Sequence, residues 1–67
     1  MTVGQRIKQV REANRMSHYY LSMEADVGVT SIYQWERGEV IPSLPAFNRV
    51  LKALDVSYEE FMKGVDL

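Results

Sequence analysis

The sequence of residues 17–38 reads SHYYLSMEADVGVTSIYQWERG, and it predicts two helices joined by a very short turn. Only Asp26 and Val27 separate the two apolar-periodic segments, and Gly28 is a suitable cap for the second. Such a short connection forces a steep crossing, with small Ser22 where the helices touch and Asp26 in a positive-φ conformation. This spacing fits a helix-turn-helix and an ordinary corner of a small helical bundle equally well.

Helix starts can be located along the whole chain from capping residues and their apolar neighbours. The predicted helices span about 3–14, 17–25, 28–37, 43–54 and 57–63, with the caps Thr2, Ser17, Gly28, Ser43 and Ser57. Thr2 with Gln5, and Ser57 with Glu60, have the spacing of capping boxes. Each of the longer segments carries a one-sided apolar stripe, and no alternating strand pattern is present. The sequence predicts an all-α, compact five-helix domain over residues 1–67.

Composition excludes several classes of protein. The 67 residues include no cysteine and one histidine, so disulfides and a thiolate metal site are excluded, and no metal or cofactor is expected. No apolar run is long enough to span a membrane, and the first residues do not resemble a signal peptide, so we expect a cytoplasmic protein without a membrane partner. His18 has no orienting acid on its face, and there is no glycine-rich phosphate loop, so we do not expect an enzyme.

Residues 16–38, followed by Pro42, Ser43 and Leu44, resemble the Cro/phage-repressor-type (lambda-repressor-like) helix-turn-helix family. The Trp-Glu-Arg-Gly sequence at 35–38 before Pro-Ser is the most specific part, and the flanks at 4–11 and 51–61 are also similar to the family. The resemblance implies a helix-turn-helix unit at about 17–37 and sequence-specific binding of double-stranded DNA. It also implies a transcriptional regulator, which we expect to be a repressor that acts as a homodimer.

The resemblance also implies roles for individual residues. It assigns DNA contacts to Ser17, His18, Gly28, Val29, Thr30, Tyr33, Gln34 and Arg37. In the family the third helix, here 28–37, enters the major groove, where Gln34 can pair with adenine and Thr30 can bond a base edge. The start of the second helix faces a phosphate in the family, and His18 stands where glutamine is usual.

Arg11 and Glu36 correspond to a pair that joins the first and third helices in the family. A bidentate arginine–carboxylate bond at these positions would hold the third helix against the rest of the domain. The alternative is that both are solvated surface charges.

The distribution of charge is the main departure from a typical DNA-binding domain. The whole chain has a net charge of −1. Residues 1–15 contain Arg6, Lys8, Arg11 and Arg15 against Glu12, whereas residues 16–43 contain Arg37 against Glu24, Asp26, Glu36 and Glu39. The segment expected to face DNA is therefore acidic, which favours an alternative function as a protein–protein interaction module on the same fold.

Two groups of apolar residues have no obvious place in the core. Tyr19, Tyr20 and Met23 stand where the family has charged residues, and they either lie over neighbouring helices, contact the DNA backbone or dock a protein partner. Val40, Ile41 and the 65–67 tail are similarly ambiguous and are candidates for a dimer interface.

Overall fold

A computed structural model describes residues 1–66 and contains five helices in that range. They are α1 (Val3–Ala13), α2 (His18–Ala25), α3 (Val29–Glu36), α4 (Leu44–Ala53) and α5 (Tyr58–Phe61). The predicted all-α architecture is confirmed, and α5 ends two residues before the predicted limit. Leu67, part of the apolar tail considered for a dimer interface, lies outside the described residues. Within the described chain, no helix is long and apolar enough to cross a membrane.

The five helices begin at the predicted caps. The hydroxyls of Thr2, Ser17, Ser43 and Ser57 each accept a backbone N–H from the first turn of the helix that follows, and Gly28 caps α3 without a side chain. Thr2 and Gln5 form the complete capping box. The box predicted for Ser57 and Glu60 has only its serine half, because the Glu60 carboxylate pairs with Lys63 at 3.0 Å instead.

The core lies where the apolar faces of the helices converge. Its buried members are Ile7, Leu21, Ala25, Ile32, Trp35, Ala46, Phe47, Val50, Leu51, Leu54 and Phe61. Phe47 and Phe61 pack edge to face with their ring centroids 5.2 Å apart, which anchors short α5 on α4. Helix α2 packs on both α3 and α4, and α1 packs on α3.

The contacts around α3 are very close. Asp26 adopts the left-handed conformation (φ 54°) at the end of α2, and Ser22 is buried at the crossing, as predicted. On the other side of α3, a Cβ atom added to Gly4 would lie 1.8 Å from the Trp35 carbonyl oxygen. The backbones of α1 and α3 are therefore in direct contact at this position.

Candidate nucleic-acid interface

The starts of α2 and α3 present most of the residues assigned to DNA contact. Ser17, Gly28, Thr30 and Tyr33 are exposed, whereas Val29 and Gln34 are half-buried. The side-chain amide of Gln34 has no hydrogen-bond partner within residues 1–66, and no buried side-chain nitrogen or oxygen there lacks one, so this amide reaches solvent. The outer face of α3 thus combines hydrogen-bonding and aromatic groups.

A polar network behind that face connects three helices through the Glu36 carboxylate. Arg11 donates from Nε to Oε2 at 2.7 Å and from Nη2 to Oε1 at 3.2 Å, so α1 and α3 are joined by a bidentate ion pair. Both side chains are only 7% exposed. Hydrogen bonding to Glu36 raises the pKa of Arg11, and Arg11 Nη1 also donates to the Met16 carbonyl at 2.8 Å. The alternative that Arg11 and Glu36 are solvated surface charges is therefore wrong.

His18 adds α2 to the same network. Its Nε2 lies 3.0 Å from Oε1 of Glu36, and its ring stacks on Tyr33 with centroids 3.9 Å apart and an interplanar angle of 16°. Sequence reasoning assigned His18 to a phosphate but missed both of these contacts. The signal available in the sequence was a histidine at a position where the family usually has glutamine. This signal did not identify the partners of His18, because they lie on another helix. A phosphate contact from His18 stays a prediction.

Most arginine side chains donate hydrogen bonds to other groups of the protein. Arg6 donates to the carbonyls of Phe61 (2.7 Å) and Glu60 (3.0 Å), and Arg49 donates to the carbonyl of Ala25 at 3.1 Å. These two arginines therefore satisfy the ends of α5 and α2, where carbonyls have no partner within the helix.

Arg37, assigned to DNA contact, is exposed and pairs with Glu39 at 2.6 Å. In contrast, the side chains of Lys8, Arg15 and Lys52 form no ion pair or hydrogen bond with other groups in residues 1–66, and all three are exposed. Arg15 lies two residues before the cap of α2. Of these three unpaired cations, Arg15 is therefore the nearest in sequence to the start of α2.

The outer side of α2 is aromatic. Tyr19, Tyr20 and Met23 are each more than half exposed. The Glu24 carboxylate beside Tyr20 raises the pKa of that phenol. Packing over neighbouring helices therefore leaves more than half of each side chain uncovered, and the DNA-backbone and protein-docking hypotheses stay open.

A second apolar surface lies at the start of α4 and α5. Ile41 is 83% exposed, and Leu44, Tyr58 and Val40 are exposed as well. Ile41, Leu44 and Tyr58 line a shallow apolar groove together with Val3, Pro42, Phe47 and Met62. Sequence reasoning singled out Val40 and Ile41 but missed Leu44, three residues after Ile41, and Tyr58, which the fold brings to the same groove.

Known proteins share this fold. A model of the helix-turn-helix family matches residues 7–61. The crystal structure of the restriction-modification controller protein C.AhdI from Aeromonas hydrophila matches with a TM-score of 0.84 and 27% identity, over 88% of this chain and 89% of that one. The DNA-binding domain of the P22 c2 repressor matches with a TM-score of 0.88 and 30% identity, over 96% of this chain and 84% of that one. No curated protein matches the sequence.

Proposed function

Because the chain belongs to the helix-turn-helix family of DNA-binding transcription regulators, we propose that it is a repressor that inserts α3 into the major groove of a short operator. The observation that carries the proposal is the exposed polar face of α3 beside the start of α2. A repressor's DNA-binding domain among the similar structures supports the same role.

Base recognition in this proposal centres on Gln34 and Thr30. The unpaired amide of Gln34 can donate to N7 and accept from N6 of one adenine in the bidentate way that glutamine uses in the major groove. The exposed hydroxyl of Thr30 can bond a neighbouring base edge, and Val29 can contact a thymine methyl group. Gly28, which has no side chain, lets the backbone of α3 approach closely.

Phosphate binding in this proposal uses the start of α2. The first backbone N–H groups of a helix have no partner within it and attract anions. Exposed Ser17 caps this helix, and Arg15 lies two residues before it with no partner in the described chain. Backbone groups thus replace part of the positive charge that the acidic 16–43 segment lacks.

We further propose that the repressor is a homodimer formed through the apolar groove at Ile41, Leu44 and Tyr58. Exposed apolar side chains that adjoin one another are typical of protein–protein interfaces. Two copies would read two half-sites roughly 34 Å apart on one face of the duplex. Doubling the contacts offsets the weak electrostatic attraction of one copy.

The test is a selection of bound duplexes from a random pool at low salt, followed by affinity measurements on the enriched sequence. We expect an enriched motif with dyad symmetry. Gln34→Ala should abolish one adenine preference per half-site, which corresponds to about 1–3 kcal/mol of discrimination. Asn48→Ala, which removes an exposed amide from α4, serves as the matched control and should leave the motif unchanged. An adenine preference that survives Gln34→Ala would contradict the role given to that residue.

The alternative function is a protein–protein interaction module. Its supporting observations are the exposed Tyr19, Tyr20 and Met23 and the neutralisation of Arg37 by Glu39. In that case no duplex is enriched at low salt, and a protein partner is bound through α2 in a way that Tyr20→Ser weakens.

A further inference from the structure

The contact between His18 and Glu36 determines which nitrogen of the imidazole carries hydrogen. A carboxylate only accepts hydrogen bonds, so Nε2 of His18 must donate to Oε1 of Glu36 across the 3.0 Å that separates them. The same carboxylate accepts two bonds from Arg11, which holds it in place. A neutral His18 therefore has its one ring hydrogen on Nε2 and a lone pair on Nδ1.

The other nitrogen, Nδ1, is left for a partner outside the chain. It has no hydrogen-bond partner in residues 1–66, and no buried side-chain nitrogen or oxygen there lacks a partner, so Nδ1 reaches solvent. Stacking on Tyr33 keeps the ring from turning freely to exchange its two nitrogens. His18 is also the first residue of α2, beside the backbone groups that bind phosphate in the proposed complex.

A phosphate oxygen is an acceptor, as is the lone pair on Nδ1 of the neutral ring. The two cannot share a hydrogen bond, whereas a protonated ring donates from Nδ1 to phosphate while Nε2 still donates to Glu36. Protonation is therefore needed before this side chain can contribute to the phosphate contact.

We propose that His18 takes up a proton when this protein binds DNA, so that a fall in pH strengthens the binding of α2 to the DNA backbone. The proposal rests on the proposed function, because that function places a phosphate at the start of α2. The proton comes from solvent, and the phosphate stays ionised. By linkage, one proton taken up per site raises the affinity at most tenfold for each unit of pH decrease.

The ring of His18 faces groups from two other helices. The groups that face it are Glu36 and Tyr33 from α3, and Arg11 from α1 bonded to the same carboxylate. On α2 itself, the nearest charged residue along the chain is Glu24, which lies beside Tyr20. The added positive charge thus meets a carboxylate on one side and a DNA phosphate on the other.

The experiment measures the dissociation constant of wild-type protein and His18→Gln for the selected duplex between pH 5.5 and 8, at constant ionic strength. We expect the wild-type affinity to fall severalfold or more between pH 5.5 and pH 8, because the proton that lets Nδ1 donate to phosphate is lost as the pH rises. In His18→Gln, the side-chain amide keeps a donor at every pH, so this pH dependence should disappear. The variant retains the amino terminus, whose own titration is thereby controlled, and circular dichroism at each pH verifies folding.

A second measurement needs no variant. His18 is the one histidine of the chain, so its imidazole resonances identify it directly in an NMR titration. Addition of the duplex at a fixed pH should move these resonances toward those of the protonated imidazole. Specific binding without this movement, or an equal pH slope in His18→Gln, overturns the proton uptake and leaves the proposed function intact. Failure to bind any duplex sequence specifically, at every pH, overturns the proposed function itself.

Discussion

The two ends of this small fold are built in opposite ways. At the α2–α3 corner, polar side chains bind one another: Arg11 and His18 both donate to Glu36, and Tyr33 stacks on His18. At the α4–α5 end, Ile41, Leu44 and Tyr58 are exposed beside a shallow apolar groove. Directional hydrogen bonds hold a surface in one geometry, whereas apolar area drives association without fixing direction. The proposed function accordingly assigns ligand recognition to the first surface and the association of two copies to the second.

The largest effect is expected when the polar corner loses its central carboxylate. Glu36→Ala leaves Arg11 buried without its partner and should lower the free energy of unfolding by about 3–5 kcal/mol. Glu39→Ala removes an exposed carboxylate from an exposed pair and should cost only about 0–1 kcal/mol. Urea denaturation of both variants checks the difference. Equal losses would mean that burial of the Arg11–Glu36 pair contributes nothing special.

A smaller loss of stability is expected when α1 is pushed away from α3. Gly4→Ala places a Cβ atom 1.8 Å from the Trp35 carbonyl oxygen, so α1 must move away from α3. Overpacking of this kind costs roughly 1–3 kcal/mol, and more if the shift also strains the Arg11–Glu36 bonds. Lys8→Ala, at an exposed position of the same helix, is the control and should change the unfolding free energy by less than about 0.5 kcal/mol. Thermal unfolding followed by circular dichroism measures the stability of both variants. If Gly4→Ala is as stable as Lys8→Ala, the close contact between α1 and α3 does not limit stability.

At the apolar end, substitution should change association and not folding. The double variant Ile41→Ser with Leu44→Ser removes two exposed side chains, so the unfolding free energy should stay within about 1 kcal/mol of the wild type. If this end joins two copies, loss of the apolar contacts should weaken the dimer at least about tenfold, as expected for central interface residues. Sedimentation equilibrium measures the change, with Tyr19→Ser, at an exposed position on α2, as the control. A dimer that weakens with Tyr19→Ser and not with the double variant would place the interface on α2.

The smallest effect concerns the edge of the polar corner. Glu39→Gln removes the carboxylate that pairs with Arg37 at 2.6 Å and frees the guanidinium for a phosphate. The affinity for the selected duplex should rise a few-fold, and its salt dependence should steepen by about one counterion. Asp55→Asn, an equal change of charge after α4, is the control for a general electrostatic effect. If both variants raise the affinity equally, Arg37 has no particular role.

Much of the fold follows from local signals in the sequence. The caps at Ser17, Gly28 and Ser57, the left-handed turn at Asp26 and the buried Ser22 were all predicted, because each depends on residues a few positions apart. The resemblance to lambda-repressor-like proteins, carried mainly by residues 16–44, is confirmed by the family match and by the two similar structures. The DNA contacts assigned to individual residues stay predictions.

The partners of the charged side chains were much less predictable from the sequence. The first 15 residues carry an excess of positive charge, but two of their arginines, Arg6 and Arg11, bind α5 and α3. The sequence alone contained a hint only for Arg11, through the family resemblance. Nothing near Arg6 indicates that its partners are the carbonyls of Glu60 and Phe61, more than fifty residues away.

The sequence by itself determined where the five helices begin and which faces they bury, because capping and periodicity act over one or two turns. Only the tertiary structure decided which polar groups meet. Arg11 and Glu36 are 25 residues apart, and His18 and Glu36 are 18 apart, so their bonds exist only after α1, α2 and α3 pack together. Packing also placed Tyr58 in the groove that Ile41 lines, although the two residues are 17 positions apart. Long-range geometry, which no local pattern encodes, thus shaped both of the surfaces on which the proposals rest.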